Sequence, residues 1–583
     1  AGFSITLEGK TGSGTDKINA GWGGDTDNLP DSENNIGTAL SIKTSVPVTI
    51  KNLTVTGGCA ASGYEDDDLG GGIRLGGVYS DGDTEKPFEA SLTLAGGAVV
   101  TKNYANGYGG GVYVSFGSNL TIKEGAEISG NTGYGGGVCI YPYEIESVEG
   151  TFKTTVTMNG GSISGNTGYA NTNASFGGGR VLVYDYSGSA SFVMNGGSIS
   201  ENTCDGYGGG VCIYGENVKF TMNGGTIGGS SSDNGNSSTT YNGYGGGVYI
   251  NRGATFEMTD GAISYNKSES TGYGGGGAVF ISSGTFDMKG GSLTSNTATY
   301  RGGGVYIASA GIFNMTGGSI SGNTATNDGN GVYQYNYNGS TGTFSMGGSA
   351  VVSSDNDVYL SSGNYITVGG SLSATSPVAT ITPSAYTDGA TVLSGTTALL
   401  ASEYTKFALT PKTGESWSIT SDGKMTNYEV SSGTVSDIGF ETPSGAGDLT
   451  YYLTLDNVTR PFQQYSSALT FKNNNAGTTL TVYLTLIGNN TLTADNHGGL
   501  KLTGVSGARI NVIFCTTSTG TLTCKGSIRD IQVENVTGTF SKQDGLYFTS
   551  ATINGTSYSD MDSFFTAAQS SNSGSTFTIS TEP

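Results

Sequence analysis

One two-part phrase recurs along this chain and constrains its fold more than any other feature. A glycine cluster and a short apolar strand, usually written Tyr-Gly-Gly-Gly-Val-Tyr-Ile, occur nine times between Gly70 and Val332. A second phrase, of the form Phe-Thr-Met-Asn-Gly-Gly-Ser-Ile-Ser-Gly-Asn-Thr, follows each time. Its apolar position recurs every 27 to 36 residues, at Leu94, Ile122, Met158, Met194, Met222, Met258, Met288, Met315 and Met346. This period predicts a solenoid, in which each unit buries its apolar face only against its neighbours.

The repeat units are predicted to be strands. Segments such as Val248-Tyr249-Ile250 alternate with period two and are rich in Val, Ile, Thr, Tyr and Phe, while Gly, Asn and Ser lie between them. A chain with 101 glycines is a poor candidate for a helical repeat. We therefore expect an all-β fold, a right-handed parallel β-helix, in which inward Val, Ile, Phe and Met stack from coil to coil about 4.8 Å apart.

The glycines and asparagines of the repeat are predicted to form its corners. Glycine suits corners with positive φ or close backbone approach. Asparagine tolerates the left-handed conformation, and stacked asparagines can hydrogen-bond one another along a rod. The recurrent asparagines that end the second phrase are Asn103, Asn131, Asn166, Asn202, Asn266, Asn296 and Asn323.

Tyrosines provide the main candidates for a binding surface. Tyr113, Tyr249 and Tyr306 each lie between two inward apolar residues, and Tyr333 lies between Val332 and Gln334, so all four are predicted to point outward. An exposed column of aromatic rings could stack on sugar rings or on a partner protein. The alternative is that these tyrosines stack on one another and stiffen the rod.

Catalytic carboxylates were sought because some parallel β-helices degrade polysaccharides with paired acids. The candidates are the run 65–68 beside Arg74, the pair Asp81 and Asp83, and the pair Asp355 and Asp357. All lie in predicted corner loops, where aspartate is common turn chemistry. The pair at Asp355 lacks the glycine and terminal glutamate of an EF-hand loop. We therefore expect no enzyme, no metal and no cofactor.

Two further charged or titratable residues stand out from the repeat. Arg180 follows a glycine cluster where valine is expected, and is interpreted as an outward residue in a shifted register. His497 is the single histidine and lies beside Gly498 in a predicted turn, where such residues are usually inert.

Six cysteines give no metal-ligand spacing. Cys139 and Cys212 occupy one repeat position with a single coil between them, so they are predicted to lie about 9.6 Å apart, beyond disulfide reach. Cys515 and Cys524 flank a short turn-like segment and are the candidate disulfide. Cys59 and Cys204 have no evident partner in the sequence.

The composition of the chain limits the classes of binding partner. Against 25 basic residues there are 47 acidic ones, a net charge of −22, which argues against nucleic acid and anionic membrane surfaces. No apolar run is long enough for a transmembrane helix. The sequence begins without a signal peptide, which fits either a processed secreted protein or a trimmed chain.

The repeat gives four predicted regions. Residues 1–47 are an irregular N-terminal strand or cap region, 48–370 form the β-helix, 371–428 hold closing or connecting strands, and 429–583 form a second, smaller solenoid. Near the end, an N-cap, acidic first turn and apolar spacing predict one short helix over 559–569 that caps the last rung.

Two resemblances accompany this reading. The paired Gly-Gly-Gly-Val and Ile-Ser-Gly-Asn phrases over residues 70–350 resemble the Gly-Gly-Ala-Ile and Phe-x-x-Asn repeats of the chlamydial polymorphic outer-membrane proteins, and resemble still more the glycine-rich repeats of spirochaete and gut-bacterial surface proteins. The departures are the third glycine and the Ile or Leu near the asparagine. The phrases around Leu480–Leu486 and Gly498–Leu502 resemble a bacterial solenoid domain often labelled carbohydrate-binding. These resemblances imply a secreted bacterial cell-surface protein.

Three functional hypotheses follow. The first is a non-catalytic structural or adhesive surface rod that presents outward tyrosine columns. The second is an extracellular filament subunit that stacks head to tail on other copies of itself. The third is a carbohydrate-binding or polysaccharide-degrading module. The expected partners are accordingly other copies of the chain, a host or neighbouring-cell surface, or a polysaccharide.

Overall fold

The structure is a computed structural model of the whole chain. It describes residues 4–9, 16–21, 37–60, 69–81, 84–142, 152–168, 180–185, 188–239, 243–269, 272, 274–308, 310–337, 340–412, 417–427, 429–434, 438–442, 449–460, 469–487, 489–494, 500–514, 521–526, 531–542, 547–553, 556–558, 563–564, 566–567 and 576–582. The chain divides into a first unit, 1–385 with 391–407, and a second unit, 386–390 with 408–583.

The first unit is built of coils, and each complete coil begins with the strand that follows the glycine cluster. We call these the Val strands. They pair in parallel as one 13-stranded sheet. Their bounds are Leu40–Ile42, Ile73–Leu75, Val112–Val114, Val138–Ile140, Val181–Tyr184, Val211–Tyr214, Val248–Asn251, Val279–Ile281, Val305–Ile307, Val332–Gln334, Asp357–Leu360, Ala379–Pro383 and Phe407–Leu409.

The second phrase forms two further strands, one carrying the Met position and one carrying Ser-Ile-Ser. They belong to a 22-stranded sheet, and in two coils they run on as one strand. The strands at the Met position are Ile5–Glu8, Val48–Lys51, Ser91–Leu94, Asn119–Ile122, Lys153–Ser164, Ser189–Ser200, Val218–Met222, Thr255–Met258, Thr285–Met288, Ile312–Met315, Thr343–Gly348, Ile366–Leu372 and Leu393–Ser394. The remaining strands of this sheet are Lys17–Asn19, Thr54–Thr56, Val99–Thr101, Glu127–Ser129, Thr226–Gly228, Ala262–Ser264, Ser292–Thr294, Ser319–Ser321 and Val351–Val352.

A short strand after the asparagine closes each coil on a third, 9-stranded sheet. Its members are Cys59–Ala60, Tyr104–Tyr108, Thr132–Tyr134, Thr167–Gly168, Thr203–Cys204, Ser237–Ser238, Lys267–Ser268, Thr297–Ala298 and Thr324–Ala325. Two hairpins, Gly77–Asp81 with Thr84–Phe88 and Asn336–Tyr337 with Ser340–Thr341, interrupt the coils, as does a 3₁₀ turn at Ser232–Asn234.

The register confirms the predicted parallel β-helix. Each residue of the Met column pairs directly with the next, from Leu94 opposite Ile122 to Met315 opposite Met346. One repeat of 27 to 36 residues is therefore one coil. The coils begin before the repeat becomes visible in the sequence, because Ile5–Glu8 already pairs with Val48–Lys51.

The glycine cluster is required where the chain turns into the Val strand. Its first glycine is left-handed, as at Gly109 with a φ of 73°. Its third glycine faces the interior: a Cβ on Gly137 would lie 2.7 Å from Cγ2 of Ile163 and 3.1 Å from Nδ2 of Asn166 in the next coil. In this coil the third position of the cluster therefore requires glycine, because the Ile column and the asparagine corner fill the space that a side chain would need.

The asparagine corners form one continuous buried ladder through the first unit. In each step the backbone N–H and the side-chain Nδ2 of one asparagine both donate to Oδ1 of the next, as Asn166 does to Asn202 at 3.1 Å. Most members also donate Nδ2 to a backbone carbonyl of the preceding Ile strand. The ladder consists of Asn103, Asn131, Asn166, Asn202, Asn236, Asn266, Asn296, Asn323 and Asn356. The stacking predicted for seven corners is confirmed, and Asn236 and Asn356 extend it.

Beside the ladder, phenylalanines stack in the apolar interior. The rings of neighbouring coils lie 4.8 to 5.4 Å apart, and each side chain is fully buried. The column consists of Phe192, Phe220, Phe256, Phe286, Phe313 and Phe344.

The first unit ends in a short helix, Thr397–Glu403, continued by a 3₁₀ turn, Tyr404–Lys406. Thr396 caps the helix by accepting a hydrogen bond from the Leu399 N–H. The helix packs against the strand Ile366–Leu372 at the C-terminal end of the coils.

The second unit contains the hairpin Trp417–Ile419 with Met425–Asn427 and a smaller stack of parallel strands, to which the last strands Tyr547–Ile553, Thr556–Ser557 and Thr576–Glu582 are added by antiparallel pairing. Its strands are Glu429–Thr434, Ile438–Glu441, Leu449–Arg460, Leu469–Asn473, Thr479–Ile487, Asn489–Ala494, Leu500–Phe514, Thr521–Gly526, Ile531–Lys542, Tyr547–Ile553, Thr556–Ser557 and Thr576–Glu582. Residues 563–564 and 566–567 are helical, inside the predicted 559–569, and Phe564 is fully buried in the apolar core of this unit.

Candidate functional surface

The four tyrosines predicted to form an exposed column are buried. Tyr113, Tyr249 and Tyr306 alternate with inward Val and Ile, and Tyr333 with inward Val332 and Gln334, but the exposed fractions of the four are only 1%, 4%, 3% and 3%. The prediction that these rings are exposed to a ligand is therefore wrong. Alternation along a strand gives the face on which a side chain lies, and does not reveal what covers that face.

The cover comes from other aromatic residues at both ends of the Val strands. Tyr207 and Tyr244 precede glycine clusters, and their rings lie 4.8 and 6.5 Å from the ring of Tyr249. Together these residues form an apolar layer outside the Val strands, which we call the aromatic strip. Its buried members are Leu69, Tyr113, Cys139, Leu182, Tyr184, Cys212, Tyr214, Tyr249, Phe280, Tyr306 and Tyr333, with Tyr108, Tyr134, Tyr141, Tyr207, Tyr244, Ala308, Tyr335 and Tyr359 half-buried against them.

The aromatic strip remains filled in the coils where the column of Tyr113, Tyr249, Tyr306 and Tyr333 has no aromatic ring. Cys139, Leu182 and Cys212 replace tyrosine in three successive coils. In the same coils the residue two positions further along is a tyrosine, and the rings of Tyr141 and Tyr184 lie 4.9 Å apart while those of Tyr184 and Tyr214 lie 5.6 Å apart. Rings from the flank thus fill the space that the smaller side chains leave.

Burial controls the protonation of the strip. It raises the pKa of the phenols of Tyr108, Tyr249 and Tyr306 well above the ordinary value, because the phenolate would lose its hydration. Arg301 covers the strip near its C-terminal end, with its guanidinium carbon 4.6 Å from the ring centre of Tyr300 and 5.0 Å from that of Tyr333. Its Nε is held by Asp328 at 3.1 Å.

Arg180 does not point outward as interpreted from the sequence. The register is shifted by one residue, so Val181 pairs with Val138 and Val211, and Arg180 takes the place of the third glycine. Its side chain is fully buried. Arg180 acts to lower the pKa of the Cys204 thiol, but burial dominates and raises that pKa to about 12.

The cysteines in the first unit are buried. Cys139 pairs with Leu182, and Leu182 pairs with Cys212, which confirms that the two thiols lie two coils apart. Burial raises the pKa of both thiols, so they remain protonated at neutral pH. Cys515 lies outside the described residues, as does the side chain of Cys524, so their disulfide stays a prediction.

The candidate catalytic carboxylates that the structure describes serve as hydrogen-bond acceptors for the chain. Asp355 accepts from the Gly322 N–H at 2.6 Å, and Asp357 accepts from the Asn330 N–H at 2.7 Å. The run 65–68, Asp83, His497 and the side chain of Asp81 lie outside the described residues. In the part of the chain that is described, no three His, Cys, Asp or Glu side chains come together as a metal site.

The two ends of the first unit differ. At the C-terminal end, the buried carboxylate of Glu403 accepts from the Leu372 N–H at 3.0 Å and pairs with Lys406 Nζ at 3.0 Å. Burial acts to raise the pKa of Glu403, but the hydrogen bond and the ion pair outweigh it and the pKa lies below its usual value. At the N-terminal end, Ile5 is 44% exposed although its partner Val48 is 5% exposed.

Comparison with protein-family models, with curated proteins and with solved structures found no match. Among the described helices, none has the length and apolar character needed to span a membrane.

Proposed function

We propose that the protein is a non-catalytic, secreted bacterial cell-surface protein whose first unit is a structural stalk. The observation that carries this proposal is the continuous asparagine ladder, which runs from Asn103 to Asn356 with its polar groups bonded from coil to coil. The residues that recur most regularly in the sequence are thereby used in holding the coils together.

The aromatic strip supports the same conclusion. Because the rings of Tyr249, Tyr306 and Tyr333 are covered, their stacking stabilises the outer face of the Val strands. Aromatic pairs of this kind contribute about 0.5 to 1.5 kcal/mol each beyond burial. A stalk that must survive outside a cell benefits from such a cover, whereas a glycan platform would need its ring faces open.

Deleting single coils tests the proposal, because solenoid coils are interchangeable neighbours. Three deletions join equivalent positions: 112–137, 279–304 and 305–331, each of which brings together the two sides of an observed Val-strand pair. Removing 279–291 alone, about half a coil, is the matched control that breaks the register.

We expect all three whole-coil deletions to fold. A bacterium that displays any one of them on its surface should attach to its target equally well. The half-coil deletion should unfold, as seen by loss of the β-sheet circular dichroism signal. Loss of attachment in one whole-coil deletion and not in the others would show a local binding site in that coil and would contradict a stalk.

A further inference from the structure

Two side chains of the first unit depart from the repeat at the same place, the turn that follows a Val strand. Gln334 lies in an inward column between Ile307 of the coil before and Leu360 of the coil after. Asn364 lies one coil beyond Gly342, at a position that is glycine in the three preceding coils. We call this turn the amide corner, defined by Gln334, Gly342 and Asn364. Two amides thus replace an apolar and a small residue at adjacent places.

Both amide side chains are enclosed by the protein. The exposed fraction of Gln334 is 2% and that of Asn364 is 4%, while Ile307 and Leu360 on either side of Gln334 are equally buried. A polar group in such surroundings loses its hydration, so each of its atoms needs a hydrogen-bond partner inside the protein.

The nitrogen atoms of both amides have such partners. Gln334 Nε2 donates to Gly342 O, across the hairpin inserted between these two residues. Asn364 Nδ2 donates to the backbone oxygen of Gln334 at 2.8 Å. Because each nitrogen faces a carbonyl, rotating either amide by half a turn would set two acceptors against each other. These contacts therefore fix the orientation of both amides.

The oxygen atoms of the same amides are left over. Within the described part of the chain, neither Gln334 Oε1 nor Asn364 Oδ1 receives a hydrogen bond. This differs from the inner asparagine ladder, where an oxygen such as Asn202 Oδ1 accepts from both the backbone and the side chain of Asn166. The amide corner thus offers two buried acceptors and needs a molecule that supplies donors.

We propose that the amide corner binds one buried water molecule, which donates one hydrogen bond to Gln334 Oε1 and one to Asn364 Oδ1. Water has two donors on one atom, and buried waters in proteins characteristically bond to polar groups that lack another partner. The partners of both amides in the described structure are uncharged backbone carbonyls, which favours a neutral ligand. A metal cation would have to exchange its hydration for two amide oxygens, whereas such ions take about six oxygen ligands.

The bound water explains why both departures occur together, and substitutions can test that link. Asn364 bonds to the backbone of Gln334 and not to its side chain, so a bridging molecule is what would couple the two side chains. We expect Gln334→Leu and Asn364→Ala each to lower the midpoint of guanidinium unfolding, since each leaves the water with one bond fewer. The double variant removes both acceptors and should lose no more than the worse of the two single variants.

Ile307→Leu is the matched control. Ile307 occupies the same inward column one coil earlier, where the turn is apolar, so this variant measures the effect of reshaping the column alone. Its effect should simply add to that of Asn364→Ala. Far-ultraviolet circular dichroism shows whether each variant keeps the β-structure of the parent chain.

High-resolution diffraction from crystals of the full chain tests the proposal without any substitution. We expect one peak of density at about 2.7 to 3.0 Å from both oxygens. Crystals soaked in rubidium chloride should give no anomalous signal there, and exchanging sodium for potassium or choline at equal ionic strength should leave the unfolding midpoint unchanged.

Four outcomes would overturn the proposal: no density between the two oxygens, a protein donor on either oxygen, additive effects of Gln334→Leu and Asn364→Ala, or an anomalous rubidium peak. The last would assign the corner to a monovalent cation. The inference does not depend on the proposed stalk function.

Discussion

Asparagine ladders run along both the inside and the outside of the first unit, and both use the same amide-to-amide hydrogen bond. The inner ladder passes Asn166, Asn202 and Asn236 and is fully buried. The outer ladder passes Asn159, Asn195 and Asn223, with spacings of 2.8 and 2.9 Å, on the exposed side of the same coils. The difference is that water can replace a lost partner outside but not inside.

The aromatic residues show the same contrast between the inside and the outside of the first unit. The inner phenylalanine column contains one ring per coil, whereas the outer aromatic strip takes rings from the Val strand and from both of its ends. The interior is therefore specified position by position. The exterior needs only enough aromatic volume to cover the Val strands, which explains why Cys139 and Leu182 are accepted in the outer column.

The largest expected difference between the two regions is their response to alkaline pH, because only the outer strip titrates. Burial raises the pKa of strip phenols, including Tyr108, Tyr249 and Tyr306, while an unfolded tyrosine titrates near pH 10. The contribution of these phenols to the free energy of unfolding is thus fully present below about pH 10. It falls as the pH rises further, because the unfolded chain releases its phenol protons first.

Absorbance of tyrosinate near 295 nm, followed together with far-ultraviolet circular dichroism, checks this prediction. The phenols of Tyr108, Tyr249 and Tyr306 should ionise in one cooperative step together with the loss of β-structure. Each contributes about 1.4 kcal/mol per pH unit within that range. A gradual titration with the sheets intact would show that water reaches these rings.

The register and the ladder were predictable from the sequence, because stacking places the same residue types at the same position in each coil. Asn236 was not predicted because it follows an inserted turn at Ser232–Asn234. Asn356 was not predicted because it lies in an aspartate-flanked segment without the Ile-Ser-Gly phrase. The burial of the tyrosines was not predictable from strand alternation, since the covering rings come from the neighbouring corners. Arg180 was misread because a one-residue shift converts an outward position into an inward one.

Truncating an inner and an outer ring compares the two regions directly. Phe286→Ala should lower the free energy of unfolding by about 4 kcal/mol, since it removes apolar burial and leaves a cavity. Tyr306→Ala should cost about 2 kcal/mol, the burial part alone, because the strip borders solvent and water can enter. Guanidinium unfolding of the two variants and of Phe286→Leu measures the difference. Equal losses at the two positions would mean that the strip is as closed as the interior.

Removing one amide from each ladder gives the smallest losses of unfolding free energy and the sharpest comparison. Asn202→Ala deletes the Oδ1 that accepts from the Asn166 N–H and from Asn166 Nδ2, and both donors stay buried. We expect a loss of about 3 kcal/mol, since each buried donor without an acceptor costs about 1 to 3 kcal/mol. Asn195→Ala removes two hydrogen bonds of the same type from the outer ladder, and should change the free energy of unfolding by no more than about 0.5 kcal/mol. Chemical denaturation of both variants measures the two changes in the free energy of unfolding. Similar losses would mean that the ladder geometry itself, rather than its isolation from water, stabilises the coils.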